Sequence, residues 1–223
     1  GGSVRDRELG CYSPDLDLVV VADAAVVARE IAKVLDAPWF TLSERHGACR
    51  VMARDGHVDV ATLRGGSIWD DLAQRDFTVN AMAVPLGGAE VAGSLGANEI
   101  VDPFDGLAHL RERRLVAVSD RIFEDDPLRL MRAPRFAHVL ELELDVGLAQ
   151  AVRAEAAALA RAASERVATE MVLTLAEGRA AEAVRRWDDL GLLEVVLPEG
   201  AGEERLAPAL ALLERLDDVL EWP

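Results

Sequence analysis

Cysteine is scarce in this sequence: of 223 residues only Cys11 and Cys49 carry a thiol. They form no C-x-x-C pair and no zinc-ligand spacing. That sets aside a disulfide framework and points to a reducing, cytoplasmic setting. The four histidines, His46, His57, His109 and His138, are scattered and give no metal cluster. No apolar run reaches membrane-spanning length and no signal peptide is visible, so no membrane partner is expected. Basic residues are also in the minority, 24 against 40 acidic, for a net charge of −16. Polyanion binders usually carry a basic excess, which weighs against a nucleic-acid partner. A locally basic surface on an acidic chain meets that objection. Repeats, low-complexity tracts and the G-x-G-x-x-G dinucleotide fingerprint are all missing.

What is there fits a globular protein. The chain is 51% hydrophobic, enough for one full core or two modest ones. It opens at Gly1-Gly2 without a Met and stops inside a helical pattern at Trp222-Pro223, so it reads as a piece of a longer protein. The first half mixes strand and helix signals. Residues 16–21 (Leu-Asp-Leu-Val-Val-Val) read as a buried strand. Asp23 caps a helix from Ala24 to Leu35. Asp55-Gly56 is a hairpin signal between strands at Cys49–Ala53 and His57–Leu63, and Ala81–Pro85 reads as a further short strand. The sheet is therefore expected to be mixed. From about Arg121 apolar residues recur at helical spacing, as in Leu148, Val152, Ala156 and Leu159, with Gly191 as a C-cap signal. Leu206, Leu210, Leu213 and Leu220 form a last stripe, and residues 198–202 (Pro-Glu-Gly-Ala-Gly) read as a linker.

Three local patterns carry chemistry. Gly1-Gly2-Ser3 reads as a tight turn leading into a short helix, Val4 to Leu9, and such a turn can bind phosphate. Alone it is equally an ordinary glycine turn. Arg5 follows, placed to add a charge-assisted contact to a triphosphate. Asp15 and Asp17 are i and i+2, so on a strand they share a face while Leu16 and Leu18 turn to the core. Two close carboxylates repel unless neutralised, and a hard cation such as Mg²⁺ beside a phosphate does that. Asp59 alternates with Val58 and Val60. Were its strand to lie beside the first, Asp59 would complete a carboxylate triad; otherwise it is a solvated strand residue.

Together these residues resemble a known family. Gly1-Gly2-Ser3-Val4-Arg5-Asp6 with Asp15-Leu16-Asp17-Leu18 is similar to the first motif of bacterial-type tRNA nucleotidyltransferases (CCA-adding enzymes) and the related poly(A) polymerases. Residues 75–83 (Arg-Asp-Phe-Thr-Val-Asn-Ala-Met-Ala) resemble the second motif. Asp102-Pro103-Phe104-Asp105-Gly106 resembles the third, a hinge. Residues 125–136, from Asp125-Asp126-Pro127 to Arg135-Phe136, resemble the fourth, which reads the nucleotide base. Ser164-Glu165-Arg166-Val167 resembles the fifth, a structural helix start. Any one is weak, but five in family order are specific, and they span nearly the whole chain.

The resemblance implies an α/β head of the polymerase-β type with a mixed sheet at residues 1–118. An all-helical neck at 119–197 and the start of a helical body at 198–223 would follow. It implies addition of C and/or A from CTP and ATP to a tRNA 3′ end, with release of pyrophosphate. By the same resemblance Gly2 and Arg5 hold the triphosphate, and Asp15 and Asp17 hold Mg²⁺, with Asp59 assisting. Arg75 contacts the nucleotide and Asp76 the ribose. Asp126 and Arg129 face the base, with Arg132 and Arg135 nearby. Positions 126, 129 and 132 have the i, i+3, i+6 spacing of one helix face; without the other motifs, an arginine stripe there would read as a solvated surface.

Several positions depart from the pattern. Gln74 stands where an arginine is usual, and Asp105 where the hinge has a glycine. Pro134 is expected to kink the helix between Arg132 and Arg135. The stretch 64–70 is short where CCA-adding relatives often carry a longer flexible loop, and Ser67 reads as a helix N-cap that anchors it. That favours an enzyme confined to CC or to the final A. The rivals are a poly(A) polymerase, disfavoured because no Gly-Arg-Arg-Phe-like segment occurs between Ala22 and Arg75, and a catalytically inactive nucleotide-binding module.

Overall fold

A computed structural model describes residues 1–44, 47–86 and 99–219. His46 and Leu220 of the last apolar stripe lie outside the described residues. The chain divides into two compact units, Gly1–Leu107 and Ala108–Pro223. The division falls earlier than residue 118 because Arg114–Leu115 pairs in parallel with Glu143–Leu144, inside the second unit.

The first unit begins with α1 (Gly2–Glu8), then β1 (Leu16–Val20) and α2 (Ala24–Leu35). Strands β2 (Trp39–Ser43), β3 (Ala48–Ala53) and β4 (Gly56–Thr62) follow. The sheet order is β1-β4-β3-β2, with β1 and β4 parallel and the other neighbours antiparallel. It is the mixed sheet that the hairpin at Asp55-Gly56 requires. The α2 cap is as read: Asp23 accepts the Ala25 N–H at 2.8 Å. Ala24, Ala28 and Ala32 line the buried face of α2, and their small side chains let it lie close on Cys49, Val51 and Val60 of the sheet.

Strand alternation sends Leu18 and Val20 toward this core. Leu16, expected there too, is 42% exposed at the strand's first residue. The predicted strand at Ala81–Pro85 reduces, among the described residues, to one antiparallel bridge between Ala83 and Val101. Ala81 still closes the 3₁₀ turn Thr78–Asn80, and Pro85 has no N–H to extend a ladder.

α3 (Ile68–Leu72) starts at a Ser67 cap, whose Oγ accepts the Asp70 N–H at 3.3 Å and donates to Asp70 Oδ2 at 2.8 Å. α4 (Gly106–Arg111) is capped by Asp102, which accepts from the Gly106 and Leu107 N–H groups at 2.7 and 2.9 Å. Asp105, in the position where the hinge motif carries glycine, sits at φ 56°, the left-handed region that favours glycine and tolerates aspartate.

The second unit is helical apart from β5 (Arg114–Leu115) and β6 (Glu143–Leu144). That two-stranded ladder is its one addition, among the described residues, to the expected all-helical neck. Its helices are α5 (Ile122–Asp125), α6 (Arg129–Val139), α7 (Val146–Glu155), α8 (Ser164–Leu175), α9 (Ala180–Asp189), α10 (Leu193–Val196) and α11 (Glu203–Val219). Buried Leu130, Met131, Phe136 and Trp187 are among its core residues. Pro134 does not end α6, which continues past it to Val139. α9 has no side-chain cap from its own preceding residue Arg179. Asp217 of α11 takes that place, accepting the Ala180 and Ala181 N–H groups at 3.0 and 3.1 Å. No helix among the described residues is long and apolar enough to cross a membrane.

Candidate active site

In the first unit the candidate residues gather on the sheet face opposite α2. The strand register sets Asp17 of β1 across from Asp59 of β4, Asp59 across from Arg50 of β3, and Arg50 across from Phe40 of β2. One register row thus carries two acids and a guanidinium. Asp15, just before β1, meets His57 one step back along β4, with Nδ1 2.7 Å from Asp15 Oδ1.

β4 does lie beside β1, yet the expected carboxylate triad is not closed. Both Asp59 oxygens accept from Arg50, at 2.7 and 2.8 Å. Among the described residues no three His, Cys, Asp or Glu side chains form a metal-holding group. Asp59 is a paired, partly buried acid, whereas the Asp15 side chain is half exposed.

Ser3 fastens the glycine turn to the sheet. Its hydroxyl donates to Asp15 O at 3.0 Å and accepts from Asp17 N at 3.3 Å, so one side chain satisfies two outward-facing groups at the β1 edge. The Val4 and Arg5 N–H groups close on Gly1 O at 3.1 and 3.2 Å. Those of Gly2 and Ser3 have no acceptor within the helix. A Cβ added at Gly1 would come within 3.4 Å of Asp17 Oδ2, and one at Gly2 within 3.8 Å. The Asp17 carboxylate therefore faces the glycine pair. These oxygen donors, open on the turn side, fit a hard divalent cation.

Other candidates are turned to internal work. Arg5 donates to Asp6 Oδ1 at 2.8 Å and to Asn80 Oδ1 at 2.6 Å, and its side chain is largely buried. Asp76 is 5% exposed and accepts from Phe77 N at 2.8 Å and Asn80 Nδ2 at 3.0 Å. Arg75 pairs with the buried Asp71 at 2.9 Å. A cleft of about 710 Å³ opens beside β1, and Gly1, Ser3, Asp17, Asp71, Arg75 and Trp69 are among its lining residues. Asp15, Gly2, Arg5, Asp59 and Asp76 do not line it.

The remaining four candidates belong to the second unit. Asp126 is not on α6: it stands before the helix in extended backbone, φ −149° and ψ 104°. The cause is Pro127, which bars the residue before it from helical angles. Asp126 accepts from Leu128 N at 3.1 Å and from both Arg166 terminal nitrogens, at 2.8 and 3.3 Å. Burial raises its pKa, but the Arg166 hydrogen bonds, the Leu128 N–H and the positive charges of Arg166 and Arg129 outweigh it, and the net shift is downward. Arg129 starts α6 and donates to Ile122 O at 3.3 Å. Arg135 bonds to the buried Glu170, which Arg132 also approaches at 3.6 Å. Both guanidiniums lie over the Phe136 ring, at 5.0 Å for Arg132 and 4.2 Å for Arg135.

Arg50, His57, Asn80, Arg166 and Glu170 were not singled out from the sequence. His57 had a usable signal, since it shares strand parity with Asp59. Arg166 lies in the fifth motif, but neither its pairing with Asp126 nor that of Glu170 with Arg135 has a local signal, because the partners are over thirty residues apart in sequence.

The class defined by this fold and site is a polymerase-β-like nucleotidyltransferase head with a mixed sheet, followed by a helical domain. The chain belongs to the poly(A) polymerase head-domain family, whose profile matches residues 1–116. A second profile, the probable RNA- and SrmB-binding site of polymerase A, matches residues 141–203. The chain is 34% identical over 221 residues to a CC-adding tRNA nucleotidyltransferase of Geobacter sulfurreducens, covering 98% of this chain and 49% of that protein. To an A-adding tRNA nucleotidyltransferase of Deinococcus radiodurans it is 37% identical over 204 residues, covering 89% and 44%. A solved tRNA nucleotidyltransferase complexed with a primer tRNA and an incoming ATP analog superposes with a TM-score of 0.80 at 27% identity, covering 92% of this chain and 60% of that one. The chain thus spans about half the length of the curated relatives it matches.

Proposed function

We propose that this chain is the catalytic and base-reading part of a cytoplasmic tRNA nucleotidyltransferase that adds C or A to the tRNA 3′ end from CTP or ATP. The observation that carries the reading is the Asp17 carboxylate facing the Gly1–Gly2 turn, with Asp15 beside it on the β1 edge. In the reaction the RNA 3′-hydroxyl attacks the α-phosphate and pyrophosphate leaves. Asp15 and Asp17 would hold Mg²⁺, which when bound neutralises charge on the attacking and leaving oxygens. The chain's own residues do the positioning, which dominates phosphoryl-type transfers. Gly2 leaves room for the phosphates, and Arg5 and Arg75 supply positive charge. Asp59, held by Arg50, lends a further acid to the same row. Asp76 and its turn set the ribose position.

Asp126 and Arg129 of the second unit read the base, with Arg132 and Arg135 supporting them. Cytosine and adenine each present an exocyclic amino donor beside a ring-nitrogen acceptor, matched by a carboxylate and a guanidinium. Uracil and guanine put a carbonyl there, which the carboxylate rejects.

The short stretch 64–70 supports a specialised enzyme. Its Ser67 cap and Asp70 accepting the Gly66 N–H at 3.0 Å hold one end of the turn, and Asp71 accepting the Arg64 N–H at 3.3 Å holds the other. A pocket with so little slack suits one task, CC addition alone or final A addition alone. The full-length protein should be given tRNA ending at the discriminator base and, separately, tRNA ending in CC, each with CTP and ATP. Extension of only one of the two, stopping at CC or at CCA, is the expected outcome. Complete CCA synthesis on the first substrate refutes the specialisation, and no transfer to either refutes the function.

A further inference from the structure

Helix α8 offers two charged residues one turn apart to the segment that carries the base-reading candidates. Arg166 takes Asp126, and Glu170 takes Arg135 with Arg132 beside it. Residues i and i+4 share a helix face, so a single face of α8 engages three of the four candidates.

The Asp126 carboxylate can be accounted for acceptor by acceptor. An ionised carboxylate offers roughly four lone-pair positions, two per oxygen. On Oδ1 one accepts the Leu128 N–H at 3.1 Å and the other an Arg166 terminal nitrogen at 3.3 Å. On Oδ2 one accepts the second Arg166 nitrogen at 2.8 Å. A single position is left, on Oδ2. The Asp126 side chain is 31% exposed, so that position can be reached by a ligand.

We propose that Arg166 is a specificity-determining positioning residue, whose fork on Asp126 leaves one acceptor of fixed direction for one N–H of a base amino group. The proposal deepens the base-reading role given to Asp126 and rests on it. A carboxylate held this way cannot swing aside or offer its other oxygen when a carbonyl arrives in place of an amino group. It must stand against the carbonyl with an unfilled lone pair, which is a strong rejection. Without the fork only the Leu128 N–H restrains the group. It can then turn away or take a water, and the penalty on U and G falls. Lysine in place of arginine keeps the positive charge but brings a point donor rather than a planar fork, so Arg166→Lys separates geometry from charge.

The test is steady-state transfer by the full-length protein, comparing kcat/KM for CTP against UTP and for ATP against GTP. Arg166→Lys should lower the cognate preference on the order of tenfold while cognate turnover falls less, the size set by one charge-assisted hydrogen bond. Asp126→Ala should lower it at least as far, and adding Arg166→Lys to Asp126→Ala should change it no further. Thermal melting of each variant reports folding; where one does not fold, Arg166→Gln replaces Arg166→Lys and Asp126→Asn replaces Asp126→Ala. If Asp126→Ala loosens selection and Arg166→Lys does not, the positioning role is overturned and base reading by Asp126 stands. If Asp126→Ala itself leaves selection intact, both are overturned. An equal fall for cognate and non-cognate nucleotides in Arg166→Lys means a merely structural contact and also overturns the proposal.

Discussion

Asp17 and Asp59 are chemically identical and sit across from one another in the same row, yet their surroundings give them different work. Asp59 is spoken for by Arg50, whereas Asp17 looks toward the glycine turn. Replacing Asp15 or Asp17 by Asn keeps the shape and removes the charge a divalent cation needs. Nucleotide transfer should fall by at least ~10²-fold, the scale of losing a principal electrostatic stabiliser. Near-wild-type rates for both variants at saturating Mg²⁺ would count against the assignment. Asp126 carries a pH prediction. Its folded pKa is depressed below the ordinary aspartate value of 3.8. The Arg166 contact is therefore fully present above that value and is lost only as pH falls through the lower folded one. The CTP-over-UTP preference should stay flat between about pH 6 and about pH 8, well above any carboxylate titration. A preference that climbs or collapses in that window would point to another group.

At the scale of elements, close approach decides what the turns tolerate. The β3–β4 hairpin brings Gly56 so near the chain before β1 that an added Cβ would stand 2.1 Å from Pro14 O. Gly56→Ala must push Pro14, and with it Asp15. It should destabilise the first unit by about 2 kcal/mol, as overpacking against backbone does, and slow transfer as well. A urea midpoint unchanged from wild type would contradict this. Much of this layer is legible in the sequence. The Asp23 cap fixed the start of α2, and Asp55-Gly56 fixed the hairpin, because caps and turns act through neighbours in sequence. The arginine spacing puts Asp126 on α6, but Pro127 beside it forbids the helix there. Leu16 is exposed although alternation turns it to the core face, because alternation gives a side chain's face but not whether anything covers it. The Arg166–Asp126 and Glu170–Arg135 pairs join elements far apart in the chain, and no local pattern encodes them.

For the molecule as a whole, the family motifs carried more than composition did. A net charge of −16 argued against RNA, and only five short motifs in order argued for it. Charge over an entire chain averages away the few positions where a polyanion would be gripped. The Ser3 hydroxyl has a consequence at this scale that concerns self-association. Among the described residues β1 pairs only with β4 and forms one edge of the sheet, with Leu16 and Val21 exposed. Bare edges of this kind recruit strands from other molecules, and natural proteins block them. Here the block is a side chain: Ser3 occupies the Asp15 carbonyl and the Asp17 amide that an incoming strand would need first. Ser3→Val, which removes both bonds, should make the protein more prone to ordered aggregation on gentle warming, measured by light scattering and thioflavin fluorescence. Wild-type aggregation kinetics in that variant would mean the edge is guarded by something else. The residue that moors the glycine turn would then also be the one that keeps copies of the protein from zipping together.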